Sequence, residues 1–185
     1  MISTNDMRPG QTLNIDGRLF TIINYQHVKP GKGQAFVKTK LRNLTSGAVV
    51  DKTFRADEKV DLAVLDKREM QYLYKDDAGL VFMDNESYEQ VHVDPALLGE
   101  AVKFLKDGTV CLIPVYEGAP VGAELPITME LEVVESEPGV KGDRVSGALK
   151  PATVETGAVV QVPLFVGPGD RIKVDTRSGE YISRA

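Results

Sequence analysis

Residues 18–44, RLFTIINYQHVKPGKGQAFVKTKLRNL, hold two strand-like runs around a tight tip. The run 18–28 is rich in β-branched and aromatic residues, which favour a pleated, half-buried strand. Asp16-Gly17 reads as a two-residue hairpin turn joining it to a strand over 12–15. Beyond the tip, residues 35–44 alternate with period two. Ala35, Val37, Thr39 and Leu41 fall on one face, and Phe36, Lys38, Lys40 and Arg42 on the other. A basic stripe therefore runs down a strand from the tip. Thr45-Ser46-Gly47 turns the chain into a further strand over 49–55. Short strands at this spacing predict a small β-barrel.

The tip itself has a physical logic. Pro30 fixes its own φ and keeps Lys29 extended, so the strand runs straight into the turn. Gly31 and Gly33 permit positive φ on either side of Lys32 and remove side chains that would crowd it. Lys32 is then the one long side chain at the point. Taken alone, such a tip is also an ordinary solvated turn carrying a solubilising lysine. Its surroundings argue for more. Residues 17–50 contain Arg18, Lys29, Lys32, Lys38, Lys40 and Arg42 and no acid. The chain as a whole carries a net charge of -5, but residues 1–63 have 10 Lys+Arg against 6 Asp+Glu, and residues 64–128 have 5 against 12. One end of the molecule is therefore suited to a polyanion, and Lys29, Lys38, Lys40 and Arg42 are candidate phosphate contacts, with salt-dependent affinity.

The rest of the chain also reads as short strands, over 70–74, 80–83, 88–93, 109–116, 128–134, 159–165 and 171–174. Asp94-Pro95 is the one clear helix start, an N-cap acid followed by proline, and the helix should end near Phe104. Glu124-Leu125-Pro126 reads as a junction. The expected fold is all-β, three small barrels over residues 1–64, 65–127 and 128–185. Cys111 lies in the apolar run VCLIPVY and reads as a buried, inert thiol that fits a reducing cytoplasm. His27 and His92 read as structural, and the two histidines and one cysteine lack metal-ligand spacing. No nucleophile elbow, phosphate-binding loop or dinucleotide fingerprint occurs, so no catalytic constellation is expected. The N-terminus lacks the form of a signal peptide, and no run is long and apolar enough to span a membrane.

The loop HVKPGKGQAFV resembles the modification loop of the bacterial elongation factor P family, with Lys32 at the modified position. A more specific likeness lies near the C-terminus. Lys150-Pro151-Ala152, Gly157, Val160, Val162-Pro163, Val166 and Gly169 match that family's signature, and VDTRSGEYISRA resembles its ending. The resemblance implies an elongated, tRNA-like L shape, with an SH3-like (KOW) first domain and two OB-like barrels. It implies a non-enzymatic, monomeric, cytoplasmic factor, without cofactor or membrane partner, that binds the ribosome between the P and E sites. There it would stimulate peptide-bond formation at consecutive prolines by positioning the CCA end of the P-site tRNA. Lys32 would sit beside the peptidyl-transferase centre, supported by Pro30, Gly31 and Gly33, and would be lengthened covalently by a modifying enzyme with a β-lysyl or aminopentanol group, or left bare. Gly142-Asp143-Arg144 would approach the E-site codon, with Arg144 where many members have threonine, and Tyr181 and Arg184 would touch RNA.

Two other readings remain open on sequence alone. A general single-strand-binding OB protein needs a basic groove lined with stacking aromatics, whereas the OB-like segments here are acidic and the chain has no tryptophan. A diverged elongation factor P paralogue acting on other stalls would differ only in function.

Overall fold

The computed structural model describes residues 1–138 and 148–185. The first barrel is a six-stranded antiparallel sheet. In chain order its strands are β1 (Ile2–Ser3), β2 (Thr12–Ile15), β3 (Arg18–Val28), β4 (Phe36–Asn43), β5 (Val49–Arg55) and β6 (Lys59–Ala63), arranged β1-β6-β2-β3-β4-β5. Asp16 (φ 53°) and Gly17 (φ 82°) both take positive φ, which matches the twist of a tight hairpin, and Ile15 pairs with Arg18 across the turn. Thr4, fully buried, closes the barrel: its amide donates to the Glu58 carbonyl (2.9 Å) and its hydroxyl to the Arg55 carbonyl (2.8 Å). Met7, Leu13, Ile22, Val37, Leu41, Phe54 and Val60 fill the interior. Strand β4 alternates as its sequence predicts, with Val37, Thr39 and Leu41 inward and Lys38, Lys40 and Arg42 outward.

The second barrel comprises β7 (Asp66–Asp76), β8 (Gly79–Asp84), β9 (Gln90–Val93), β10 (Val110–Tyr116) and β11 (Ala119–Pro120), in the order β11-β10-β7-β8-β9, with β9 and β11 meeting to close it. Between β9 and β10, residues Pro95–Phe104 form the expected short helix with the expected cap, the Asp94 carboxylate accepting from the Ala96 amide (2.9 Å). It is of 3-10 type rather than α, and Gly99 (φ 56°, ψ -137°) divides it into two short turns. Cys111 is buried in this barrel, and desolvation pushes its thiol up to about 11, which leaves it unreactive at neutral pH.

Gly79, at the start of β8, has φ +141°, and a β-carbon added there would lie 2.8 Å from the backbone oxygen of Val93. Gly79→Ala is therefore expected to cost roughly 1–3 kcal/mol of stability, read as a lower thermal midpoint. An unchanged midpoint would show that β8 and β9 can separate freely at this end.

The third barrel is built from β12 (Thr128–Ser136), β13 (Leu149–Val154), β14 (Val159–Pro163), β15 (Arg171–Asp175) and β16 (Tyr181–Arg184), in the order β14-β13-β12-β15-β16, with β14 and β16 adjacent. Its core of Leu131, Val133, Val154, Val162, Ile172 and Val174 takes in Phe104 of the second barrel, which is 1% exposed. Leu125 packs against both cores. The Thr156 hydroxyl donates to the Lys103 carbonyl (2.7 Å), the Lys106 ammonium to the Glu130 carbonyl (3.0 Å), and the Thr176 hydroxyl to the Pro126 carbonyl (2.6 Å). The second and third barrels are thus plugged together. By contrast, among the described residues the first barrel has one side-chain hydrogen bond to the second, from Asn14 Nδ2 to Tyr116 Oη (3.3 Å).

Several carboxylates are held below their usual range. Asp84, 3% exposed, accepts from the Glu86 amide (2.8 Å) and from Arg68 Nη1 (2.7 Å), the amide having the larger effect. Asp76 is held down chiefly by His92, Asp170 by the Gly167 amide and Asp175 by Arg177. A depressed carboxylate stabilises the fold above its ordinary pKa, and that stabilisation fades as pH falls through the lowered native value. The thermal midpoint should hold steady near neutrality and drop below about pH 4, with Asp84→Asn less sensitive to that drop. A midpoint that rose on acidification would reverse this assignment. Among the described residues no helix is long and apolar enough to cross a membrane.

Candidate nucleic-acid interface

Strands β3 and β4 stay paired out to Val28 and Phe36, and residues 29–35 extend beyond the sheet. An 11-residue strand spans about 36 Å, and β3 runs as barrel wall beside β2 and β4, with β5 paired to β4 out to Phe36, so the tip alone projects. Lys29, Pro30, Gly31, Lys32, Gly33 and Gln34 are all exposed. The Ala56 amide donates to the Ala35 carbonyl (3.1 Å), which ties the base of the tip to the chain leaving β5. Gly33 takes φ +107°, whereas Gly31 does not need positive φ, so only one of the two tip glycines is used for the backbone freedom expected of both. Nothing lies within 4 Å of where a β-carbon on Gly31 would stand, so the role of this glycine is to leave the point slim. Among the described residues no carboxylate pairs with Lys32.

Below the tip, the outer face of the sheet forms a polar groove of about 380 Å³. Lys38 and Lys40 of β4 line it, with Asn24 and Gln26 of β3 and Asp51 and Thr53 of β5. Lys38 sits in register between Gln26 and Thr53, and Lys40 between Asn24 and Asp51. Asp51, just outside the acid-free stretch of sequence, thus lies beside Lys40 once the strands pair. Lys52 also borders the groove, though from the face of β5 that carries Phe54 and opposite to that of Lys38 and Lys40, a cation missed because it belongs to β5 and not to the alternating strand. Its ammonium sits 5.4 Å from the centre of the Phe54 ring, and that of Lys38 sits 5.7 Å from the Phe36 ring. Such lysines keep their stems on apolar surface and their charge in water.

Arg42 departs from this group. It borders a separate cleft of about 500 Å³ where the three barrels meet, with Leu98, Glu100, Leu125, Ile127 and Arg177. Tyr181 and Arg184 lie on β16 of the third barrel, apart from the groove. Tyr181 is half-buried against the third core, and Arg184 Nη2 donates to Asp170 Oδ1 (3.2 Å) while its guanidinium covers the Phe165 ring. Gly142, Asp143 and Arg144 fall outside the described residues. His27 is exposed on β3, and His92 pairs with Asp76 at 2.8 Å. Among the described residues no three His, Cys, Asp or Glu side chains are grouped to hold a metal. The arrangement offers charge and shape: a slender cationic point, a cationic groove behind it, and no acid-base pair at the tip.

The fold is shared with solved structures. Eukaryotic translation initiation factor 5A from Methanococcus jannaschii superposes with a TM-score of 0.54 at 21% identity, covering 68% of this chain and 90% of that one. A translation initiation factor eIF-5A family protein from Naegleria fowleri gives 0.53 at 14% identity, covering 67% and 96%. Family models match three consecutive stretches: the elongation factor P KOW-like domain at residues 3–60, its OB domain at 65–123 and its C-terminal domain at 129–184. Elongation factor P of Acidothermus cellulolyticus is 52% identical over 185 residues, covering 100% of this chain and 99% of the relative. That of Pelotomaculum thermopropionicum is 54% identical over 184 residues, with 100% of both covered, and that of Mycobacteroides abscessus 55% over 184, with 100% and 98% covered.

Tip and barrels together are those of a multi-barrel translation factor. The chain belongs to the elongation factor P family. It is a translation elongation factor and not an enzyme.

Proposed function

We propose that the protein enters the ribosome between the P and E sites and speeds peptide-bond formation at consecutive prolines by holding the CCA end of the P-site tRNA. The observation that carries this reading is Lys32, exposed and without a carboxylate partner among the described residues, on the narrow tip that extends past the paired ends of β3, β4 and β5. Proline is a poor donor and acceptor in peptide transfer, and its peptidyl-tRNA samples unproductive geometries. A cation that braces the CCA end removes orientational freedom, and positioning of this kind can lower a barrier by several kcal/mol. The ribosome performs the chemistry, and the factor moves no proton.

Lys38, Lys40 and Lys52 along the groove, with Lys29 at the base of the tip, supply phosphate contacts to tRNA or rRNA. Affinity for the ribosome should then fall steeply with salt. Arg42, Tyr181 and Arg184 would contribute from their own positions, and Gly142, Asp143 and Arg144 would approach the E-site codon. The factor acts in the cytoplasm as a monomer. A lysine-modifying enzyme lengthens Lys32, and a mass shift confined to the tip peptide of protein from its native host is the expected sign. An unshifted peptide would remove the modification from the mechanism. The role itself is tested by the rate of Pro-Pro-Pro synthesis in a reconstituted translation system with and without the protein, against a proline-free message. Acceleration specific to prolines is expected, and equal effects on both messages would overturn the proposal.

A further inference from the structure

After β14 the chain turns through residues 164–170 before entering β15. Within this turn Val166 is fully buried, while its neighbour Phe165 is 66% exposed. The turn is fixed at several points. The Val166 amide donates to the Pro163 carbonyl (3.1 Å), the Gly169 amide to the Val133 carbonyl (2.8 Å), and the Gly167 amide to Asp170 Oδ2 (2.9 Å). The other oxygen of Asp170 accepts from Arg184 Nη2 (3.2 Å), and the Arg184 guanidinium carbon lies 5.6 Å from the centre of the Phe165 ring. Burying a phenylalanine ordinarily stabilises a fold. This ring instead stands largely in water, with the tethered Arg184 guanidinium over it.

We propose that Phe165 and Arg184 form a stacking platform for an unpaired RNA base. The proposal rests on the ribosomal role above and extends it to the third barrel. An aromatic face takes any base, because every base has a π-face, and the guanidinium adds a cation for the neighbouring phosphate. An exposed aromatic ring with an exposed guanidinium beside it offers stacking and a cation at one place, the two things an unpaired base and its phosphate take up. Arg184 is the positioning element. Bound to Asp170, it is held over the ring. Phe165 carries no signal in the sequence, because a lone aromatic after Val162-Pro163 looks like the end of a strand.

The test uses the full-length protein and binding to 70S ribosomes carrying a P-site tRNA, for the wild type, Phe165→Ala, Phe165→Leu and Phe165→Trp. Stacking predicts a loss of about 5- to 100-fold for alanine and for leucine, and retention for tryptophan. A benzophenone side chain at position 165 should form an adduct destroyed by ribonuclease. Leucine binding as well as the wild type, or an adduct destroyed only by protease, would show that an apolar protein pocket occupies the site and overturn the proposal. Alanine equal to wild type would overturn it while leaving the ribosomal role intact. A wild type that does not bind would overturn both. Because the residue is exposed, thermal midpoints of the variants should match the wild type, which separates binding from folding.

Discussion

Lys32→Ala is expected to abolish most of the protein's acceleration of Pro-Pro-Pro synthesis, by about tenfold or more, and to leave its stability unchanged. The side chain is exposed and makes no ion pair among the described residues, so its removal should alter stability by no more than about 0.5 kcal/mol. The rate is a different matter. A misplacement of about 1 Å at a reacting centre can cost as much as 100-fold, and a shortened tip loses its reach as well as its charge. Lys32→Arg distinguishes the two, since it keeps the charge but cannot carry a lysine-specific extension. If arginine works and alanine does not, charge suffices. If alanine works as well as the wild type, the slim backbone of the tip is the active part and the lysine is incidental.

Phe104→Ala is expected to loosen the joint between the second and third barrels. The ring is 1% exposed and sits in the core of the third barrel although its backbone belongs to the second. It lies against Gly179, where a β-carbon would come within 3.5 Å of it. Truncating a buried phenylalanine costs about 3–5 kcal/mol, and here the loss falls on the seam. Calorimetry should show the third barrel melting as a separate transition, roughly 10 °C or more below the wild type. A single unshifted transition would mean that Leu125 and the hydrogen bonds of Thr156, Lys106 and Thr176 carry the joint without it.

The hairpin at Asp16-Gly17, the alternation of β4 and the start of the short helix were all legible, because each depends on neighbours in sequence. What escaped depends on partners far along the chain. Strands β1 and β6 are short and weakly patterned, and they exist because Ile2 pairs with Val60. Strand β13 contains Pro151, which argues against a strand, yet that residue faces outward opposite Gln161. The same strand puts Lys150 on the buried face with Ala152 and Val154, a charge that alternation would reserve for solvent. It is accommodated because its ammonium donates to the Glu137 carbonyl (2.8 Å). Of the interface, the tip and the cations of β4 could be read directly. The contribution of Lys52, the proximity of Asp51 and the separation of Arg42 could not, since they follow from strand register and from where neighbouring barrels lie.

Cys111 has a practical consequence. Burial pushes its thiol up to about 11, so very little of it is thiolate at pH 7, and the surrounding core shields the sulfur from solvent. A maleimide dye will therefore choose any cysteine introduced on the surface, and the native thiol need not be removed first. Paired dyes on the first and third barrels of an otherwise unaltered chain can report, by energy transfer, whether the distance between the first barrel and the plugged pair changes when ribosomes are added.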